Sequence, residues 1–174
     1  FKYRNQLFYL MLATMMVPGQ VTMIPRYIMI LKMNLYDTLG ALIIPSLVST
    51  FGIYMCKQFI EDIPQSLCEA ARIDGAGPIR IYFSVVLPNI RSAVASLAIF
   101  TALREWNDYM TPLLMLNDKN KMTLPLAMTL FTTDHGQDVP ATMAIIAMVM
   151  IPLIILFILF QKQFIKGMTL SGMK

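Results

Sequence analysis

Charged side chains are scarce in this chain of 174 residues, where Asp, Glu, Lys and Arg together make up 14% of the sequence. Average soluble domains carry about 25% charged residues, and 57% of this chain is hydrophobic. Lipid rather than water is therefore the expected main solvent of the fold. The net charge of +4 comes from basic residues near the ends of apolar runs, which favours contact with a membrane surface over contact with nucleic acid.

Residue types that hold metals or catalyse reactions are also few. The two cysteines, Cys56 and Cys68, are too far apart for a paired metal-binding motif, and we expect free thiols in buried or interfacial positions. The single histidine, His135, has only Asp134 and Asp138 near it, and a solvated loop position is the prediction. With no nucleophile–base set or intramembrane carboxylate pair visible, the sequence predicts no catalytic residue, no metal site and no cofactor.

The chain also lacks a phosphate-binding loop, because Gly75 and Gly77 are followed by Pro78 and Ile79 rather than by lysine. Energy for any ATP-driven process must therefore come from another chain. An ion-driven secondary transporter is the alternative, but it would favour ionisable residues at the middle of the membrane. The charges here lie near the ends of the apolar runs instead.

Four apolar runs predict membrane-spanning helices. A spanning helix needs about 20 residues, because each residue rises about 1.5 Å and the hydrocarbon is about 30 Å thick. The runs cover residues 7–31, 38–56, 89–103 and 141–160. The third is short and rich in Ala and Ser, which points to close packing against other helices. The prediction is an all-α integral membrane protein with four transmembrane helices in a single domain over residues 1–174.

Prolines interrupt three of these runs. A proline inside a helix leaves a carbonyl without its donor, but neighbouring groups in a membrane bundle can satisfy it. We therefore expect kinked helices packed on one another rather than isolated anchors. The prolines concerned are Pro18, Pro25, Pro45 and Pro152.

Lys and Arg set the expected orientation. With the N-terminus inside, nine of the 14 basic residues lie on the cytoplasmic side and five outside, as cytoplasmic segments generally carry the excess. Residues 57–87 are then cytoplasmic. Residues 104–140 form an extracytoplasmic loop region that reads as loop with one short helix.

The cytoplasmic segment contains the stretch EAARIDGAGP, residues 69–78. Pro64 suits the first turn of a helix, and Asp62 is placed to cap it. We expect this helix to end at Asp74 and Gly75, because glycine readily adopts the left-handed conformation.

Pro78 then begins a second helix, whose apolar positions 79, 82, 83 and 86 have the spacing of an amphipathic face. Pro88 ends that helix or kinks it into the third span. The prediction is a cytoplasmic helix-turn-helix over residues 61–88. The residues alone leave two readings open, a solvated connector or a docking element for a partner.

At these positions the sequence resembles a known family. EAARIDGAG followed by VVLP is similar to the EAA loop of permease subunits of bacterial ATP-binding-cassette importers, whose pattern is Glu-Ala-Ala, three residues, Gly, and about nine residues later Ile/Val-x-Leu-Pro. The matching residues are Glu69, Ala70, Ala71, Gly75, Val86, Leu87 and Pro88. The motif is long and specific, and the resemblance extends over nearly the whole chain.

Three further stretches resemble the carbohydrate-importer branch of that family. They are REWNDYMTPLLML at 104–116, KMTLPLAM at 121–128 and the tail QKQFIKGMTLSGMK at 161–174. The tail has Gly167 and Lys174 in place but shifts its second glycine by one position. Such permeases have six spans, so we expect this chain to be the C-terminal part of a six-helix permease.

The resemblance implies a transport role in the bacterial inner membrane. The expected partners are a dimer of ATP-hydrolysing subunits, a second permease subunit, an extracytoplasmic substrate-binding protein and membrane lipid, with no nucleic acid. ATP hydrolysis would belong to the separate subunit, coupled through the EAA loop. The coupling residues would be Glu69, Ala70, Ala71, Arg72, Asp74, Gly75, Leu87 and Pro88.

The branch resemblance also implies a sugar, polyol or oligosaccharide as substrate. Along the substrate path, Trp106 could stack on a sugar face, and Asn107 and Asp108 could bind hydroxyl groups. The alternative for Trp106 is an anchor at the membrane interface, which is the usual position of tryptophan in membrane proteins.

Overall fold

The computed structural model describes residues 2–133, 136–137 and 139–171. For residues 132–133, 136–137 and 162–171 it describes the backbone alone. These residues form two compact units. The first contains the residues up to Ser49 together with Ala102–Leu159, and the second contains Thr50–Thr101 and the residues from Phe160 onward.

The fold is helical. In chain order the α-helices are α1 (Arg4–Thr14), α2 (Gly19–Lys32), α3 (Gly40–Ser46), α4 (Thr50–Glu61), α5 (Gln65–Ile73), α6 (Pro78–Ile81), α7 (Leu87–Asn89), α8 (Arg91–Trp106), α9 (Met110–Met115), α10 (Leu124–Ala127) and α11 (Val139–Ser171). A π-helical turn covers Tyr82–Val86, and 3-10 turns cover Lys119–Lys121 and Met128–Phe131. A two-residue antiparallel ladder pairs β1 (Thr132–Thr133) with β2 (Gly136–Gln137).

Two helical stretches among the described residues are long and apolar enough to cross a membrane, and there are four if each of two bent helix pairs counts as one span. The two are Gly40–Glu61 and Val139–Gln161. They correspond to the second and fourth predicted spans. Large apolar side chains of α11, among them Phe157 and Leu159, are more than half exposed, which suits a helix that spans a membrane.

The first predicted span is not one straight helix. α1 and α2 are bent by 100° at the break between them. Pro18 is the N-cap residue of α2, with extended ψ of 136°, and the residue before a proline is itself biased away from helix. The prolines of this run therefore break the helix at Pro18, whereas Pro25 lies inside α2.

The third predicted span, residues 89–103, falls mainly in α8, the second helix of the other bent pair, and the first helix of that pair lies in the predicted cytoplasmic segment. Pro78–Asn89 and Arg91–Trp106 are bent by 73°. The helix passes through Pro88 and breaks at Ile90, which has φ −95° and ψ 10°. α8 then continues to Trp106, three residues beyond the predicted end of the span.

The predicted outer loop region, 104–140, is more structured than expected. It holds α9, α10 and two 3-10 turns rather than one short helix. Pro112 lies within α9, and Pro125 is in the first turn of α10, where its missing N–H costs no hydrogen bond. Some of the sequence predictions concern residues outside the described ones, namely Asp134, His135, Asp138, Gly172 and Lys174.

The first unit has a small apolar core. Ile30 of α2, Ala41 of α3 and Met115 of α9 are at most 1% exposed. Four partly buried residues pack around them: Tyr27, Leu35, Leu42 and Leu114. This cluster holds the end of α2, the start of α3 and the end of α9 together.

In the second unit, α8 buries two small residues and one isoleucine on the same helix. Ala93, Ser96 and Ile99 are at most 4% exposed, which agrees with the close packing predicted for this run. The rings of Phe51 in α4 and Phe100 in α8 meet edge to face, with centroids 6.3 Å apart.

Candidate functional site

The candidate site is the loop after α4, from α5 to α7. α5 begins at Gln65, with Pro64 as its N-cap residue rather than inside its first turn. Glu69, Ala70 and Arg72 are exposed on α5, and Ala71 is half-buried. The helix thus presents most of the Glu-Ala-Ala stretch on its free surface.

α5 ends in a Schellman motif centred on Gly75. The N–H of Gly75 donates to the Arg72 carbonyl at 3.0 Å, and the N–H of Ala76 donates to the Ala71 carbonyl at 2.9 Å. Gly75 has φ of +79°, the left-handed conformation that the sequence predicts there. This pair of bonds satisfies carbonyls that the helix end would otherwise leave without a donor.

The two glycines of the turn have different conformational needs. A Cβ built on either Gly75 or Gly77 meets nothing within 4 Å. Gly77, however, has φ −71° and ψ 166°, an extended conformation open to any residue. Only Gly75 is held by backbone conformation, so the two positions form a matched pair for substitution.

A second helical segment begins at Pro78 and contains a π-helical turn. Ile81 is its buried residue, 7% exposed, and the adjacent rings of Tyr82 and Phe83 meet edge to face with centroids 5.1 Å apart. The N–H of Leu87 donates to the Tyr82 carbonyl, five residues earlier. Such π turns in otherwise α-helical segments are frequent at functional sites.

The π turn lies directly before Pro88, whose missing N–H interrupts the helical hydrogen-bond ladder. Two side chains bond carbonyls of this segment. The Ser84 hydroxyl donates to the Arg80 carbonyl at 2.6 Å, and the Asn89 amide donates to the Val85 carbonyl at 2.7 Å. Leu87 is half-buried beside the exposed Pro88.

The loop exposes large apolar side chains between its charges. Ile73 is 87% exposed, Ile79 76% and Phe83 62%. Ile73 lies directly between exposed Arg72 and Asp74. Apolar surface rimmed by charged residues is typical of a protein-interaction site.

The three residues predicted for the substrate path lie at the end of α8 and just after it. The Trp106 indole N–H donates to the Val149 carbonyl of α11 at 3.1 Å. The Asn107 amide donates to the Leu103 carbonyl at 2.8 Å, and Oδ1 of Asp108 accepts from the Thr111 N–H at 3.1 Å. Each therefore has a backbone partner within the first unit.

Sequence reasoning missed Asp37, in the turn between α2 and α3. The backbone N–H groups of Asp118 and then Asn117, helped by Lys121 and opposed by partial burial, lower the pKa of its carboxyl group from 3.8 to about 2. Its hydrogen bond raises the pKa of the Lys121 amine above its ordinary value. These partners lie some 80 positions away in sequence, so no local pattern could have joined them.

Among the described residues, no group of three His, Cys, Asp or Glu side chains could hold a metal ion. Cys56 and Cys68 are free thiols in half-buried positions, as the sequence predicts.

Comparison with known proteins gives a match over almost the whole chain. The family described as "Binding-protein-dependent transport system inner membrane component" matches residues 1–170. The arabinooligosaccharides transport system permease protein AraQ of Halalkalibacterium halodurans is 34% identical over all of this chain and 62% of its own length. The sn-glycerol-3-phosphate transport system permease protein UgpE of Pectobacterium atrosepticum is 31% identical over 97% of this chain and 60% of its own.

A solved structure is also similar. It is a bacterial ABC transporter involved in the import of the acidic polysaccharide alginate, with a TM-score of 0.81 and 25% identity over 93% of this chain and 62% of that one. The chain thus spans about three fifths of the length of the proteins it matches.

Proposed function

The chain belongs to the family of inner membrane components of binding-protein-dependent transport systems, and on that premise we propose that it is a permease subunit of an ATP-driven importer. It forms half of the translocation pathway for a sugar, polyol or oligosaccharide. The match of residues 1–170 to the family carries this proposal, because it covers the spans and the loop together.

The substrate class follows from the relatives. Their names refer to arabinooligosaccharides and sn-glycerol-3-phosphate, and the similar structure imports alginate. These compounds share hydroxyl groups on neighbouring carbon atoms. For this chain we propose a hydroxyl-rich carbohydrate or polyol derivative, delivered by an extracytoplasmic binding protein.

The coupling element of this proposal is the loop from Glu69 to Pro88. The chain forms one permease domain in this proposal. Within it, the coupling loop covers residues 61–88 and the extracytoplasmic region covers residues 104–140, as the sequence predicts. ATP is hydrolysed on a separate pair of subunits docked against the loop. A second permease subunit completes the pathway.

The geometry supports docking through the α5–α6 turn. The Schellman bonds fix the direction in which the chain leaves α5, so Ile73 and Ile79 stand exposed on either side of one rigid turn. Burying apolar side chains of this size contributes about 1.5–3 kcal/mol each. Glu69 and Arg72, exposed on α5, give the contact electrostatic direction.

On the substrate path the proposal narrows to the ring of Trp106. The Asn107 amide and one Asp108 carboxylate oxygen already have backbone partners, which leaves them less capacity for hydroxyl groups. The Trp106 indole is 36% exposed, although its N–H is used by α11. A sugar would therefore contact its ring face rather than its N–H.

The test is uptake by the purified full-length complex in lipid vesicles. The full-length protein is co-expressed with its ATP-hydrolysing subunits and second permease subunit, and the complex is reconstituted into vesicles. ATP is enclosed inside the vesicles. The binding protein and a panel of labelled oligosaccharides and glycerol phosphate are added outside. The proposal expects uptake that requires ATP and persists when ionophores collapse all ion gradients. Uptake that needs a gradient and ignores ATP would instead support the ion-coupled transporter, which the family match disfavours.

A further inference from the structure

Asp37 has a left-handed backbone conformation, with φ of +57°. Among residues other than glycine, Asn and Asp adopt this conformation most readily, because their short polar side chains can form local hydrogen bonds. A left-handed residue other than glycine still needs support from its surroundings. Asn34, three residues earlier, has the same conformation with φ of +55°.

Five hydrogen bonds hold Asp37 in this conformation. Its N–H donates to the Met115 carbonyl at 2.9 Å. Its Oδ1 accepts from the N–H of Asn117 at 2.9 Å and of Asp118 at 3.0 Å. The Lys121 amine donates to its carbonyl at 2.8 Å and to its Oδ2 at 3.1 Å. We call this set of five residues the Asp37 clamp.

The clamp lies over the buried core of the first unit. Met115, whose carbonyl it uses, is also the core residue that packs with Ile30 and Ala41, all at most 1% exposed. Apolar packing and charge-assisted hydrogen bonds therefore join the same two stretches of chain. Well-packed groups of this kind move together rather than deform.

We propose that Asp37 is a positioning residue that locks the segment from Met115 to Lys121 onto the turn between α2 and α3, so that both move as one rigid body through the transport cycle. This inference rests on the proposed transport function.

The first test needs no substrate. A reporter thiol, Met115→Cys, is introduced into full-length protein in native membranes, in a background whose other cysteines are serine, and its rate of maleimide labelling is measured. Asp37→Ala is expected to speed labelling about tenfold, because two backbone donors lose a charged acceptor. Asp37→Asn is expected to be intermediate, since Asn tolerates the left-handed conformation and keeps one side-chain oxygen.

Lys121 and Lys119 provide a matched pair of charge deletions. Lys121 bonds Asp37 twice, whereas Lys119 is exposed two positions away. Lys121→Met is expected to speed labelling of the reporter about threefold, and Lys119→Met is expected to leave it unchanged. Equal rates for Asp37→Ala and the parent would overturn the clamp.

The second test asks whether the clamp stays closed during transport. The double variant Asp37→Cys/Asn117→Cys places one thiol on each of the two stretches that the hydrogen bond from the Asn117 N–H to Asp37 Oδ1 joins at 2.9 Å. Formation of a disulfide on oxidation is verified by the loss of free thiol. The reduced form of this variant is expected to lose most uptake in the reconstituted complex, and oxidation is expected to restore at least about half. Oxidation that gives no gain, or a reduced form with parental uptake, contradicts a rigid clamp.

The two tests separate this inference from the proposed function. If the parent complex transports none of the panel while the labelling pattern holds, the proposed function fails and the rigid link between the two stretches remains. If the parent transports and the labelling pattern is absent, the clamp fails alone.

Discussion

The N–H of Ala76 donates to the carbonyl of Ala71 at 2.9 Å, across the left-handed Gly75. This bond joins the Glu-Ala-Ala stretch to the start of the next helix within six residues. Backbone geometry at Gly75 therefore contributes directly to the direction of that helix. A docking surface built on such a turn can transmit force without first being ordered by its partner.

Topology can be checked by labelling single cysteines in intact cells. We expect Glu69→Cys to be protected from a membrane-impermeant maleimide and Lys119→Cys to react, because the basic residues place the first inside and the second outside. Both positions are exposed, so burial does not confuse the comparison. The reversed pattern would contradict the orientation and the docking role of the loop.

The Asp37 clamp has a predicted pH range. The folded pKa of the Asp37 carboxyl, about 2, lies below its ordinary 3.8, so its contribution is present above pH 3.8 and is lost as pH falls toward 2. The Lys121 pKa is raised, so its contribution is present at and below the ordinary lysine pKa of 10.5 and is lost only above the raised value. The Asp118 carboxylate, whose Oδ2 lies 3.6 Å from the Lys121 amine, also raises the pKa of Lys121.

The measurement is the melting temperature of the detergent-purified full-length protein against that of Asp37→Asn across pH. We expect a constant difference from about pH 5 to 9 that shrinks below about pH 4. A difference that instead changes near neutral pH would assign the effect to another group.

Two substitutions distinguish the role of the Trp106 N–H from the role of its ring. Trp106→Phe removes the hydrogen bond to the Val149 carbonyl and keeps an aromatic face. Trp106→Ala removes both. If the ring contacts a sugar, Trp106→Phe keeps most uptake, while Trp106→Ala loses the contact and raises the half-saturation concentration of the substrate. Equal loss in both variants would make the bond to α11 the important feature and leave Trp106 as a structural anchor.

The sequence predicted the features that depend on local chemistry. The apolar run of α11, the helix start at Pro78 and the left-handed Gly75 all follow from residues within a few positions of one another. The π turn before Pro88 did not follow, because the sequence cannot decide how a helix accommodates a proline. For the same reason the break at Pro18 and the continuous helix at Pro25 could not be told apart in advance.

Long-range pairing accounts for the rest. The Asp37 clamp joins residues some 80 positions apart. The left-handed conformation of Asp37 could not be read from the neighbouring sequence either. Asn34 carried a readable signal, since Asn just after a helix often adopts that conformation. The partners of Asn107 and Asp108 were local and could have been anticipated as helix-end hydrogen bonds.

The central claim is coupling to a separate ATPase through the Gly75 turn, and the most direct measurement is co-purification of that ATPase with full-length Gly75→Val and Gly77→Val. Neither new side chain meets an atom within 4 Å at its Cβ, so a clash at that atom does not distinguish the two variants and the backbone conformation does. Gly75→Val forces a β-branched residue to φ +79°, a strain of about 1–2 kcal/mol, and re-aims α6.

We expect both variants to reach the membrane at wild-type levels. Gly77→Val should recover the ATPase and transport normally, Glu69→Ala should lose part of both, since it removes one charged contact, and Gly75→Val should lose nearly all of both. Normal ATPase recovery with wild-type uptake in Gly75→Val would contradict the account and make the loop a passive connector.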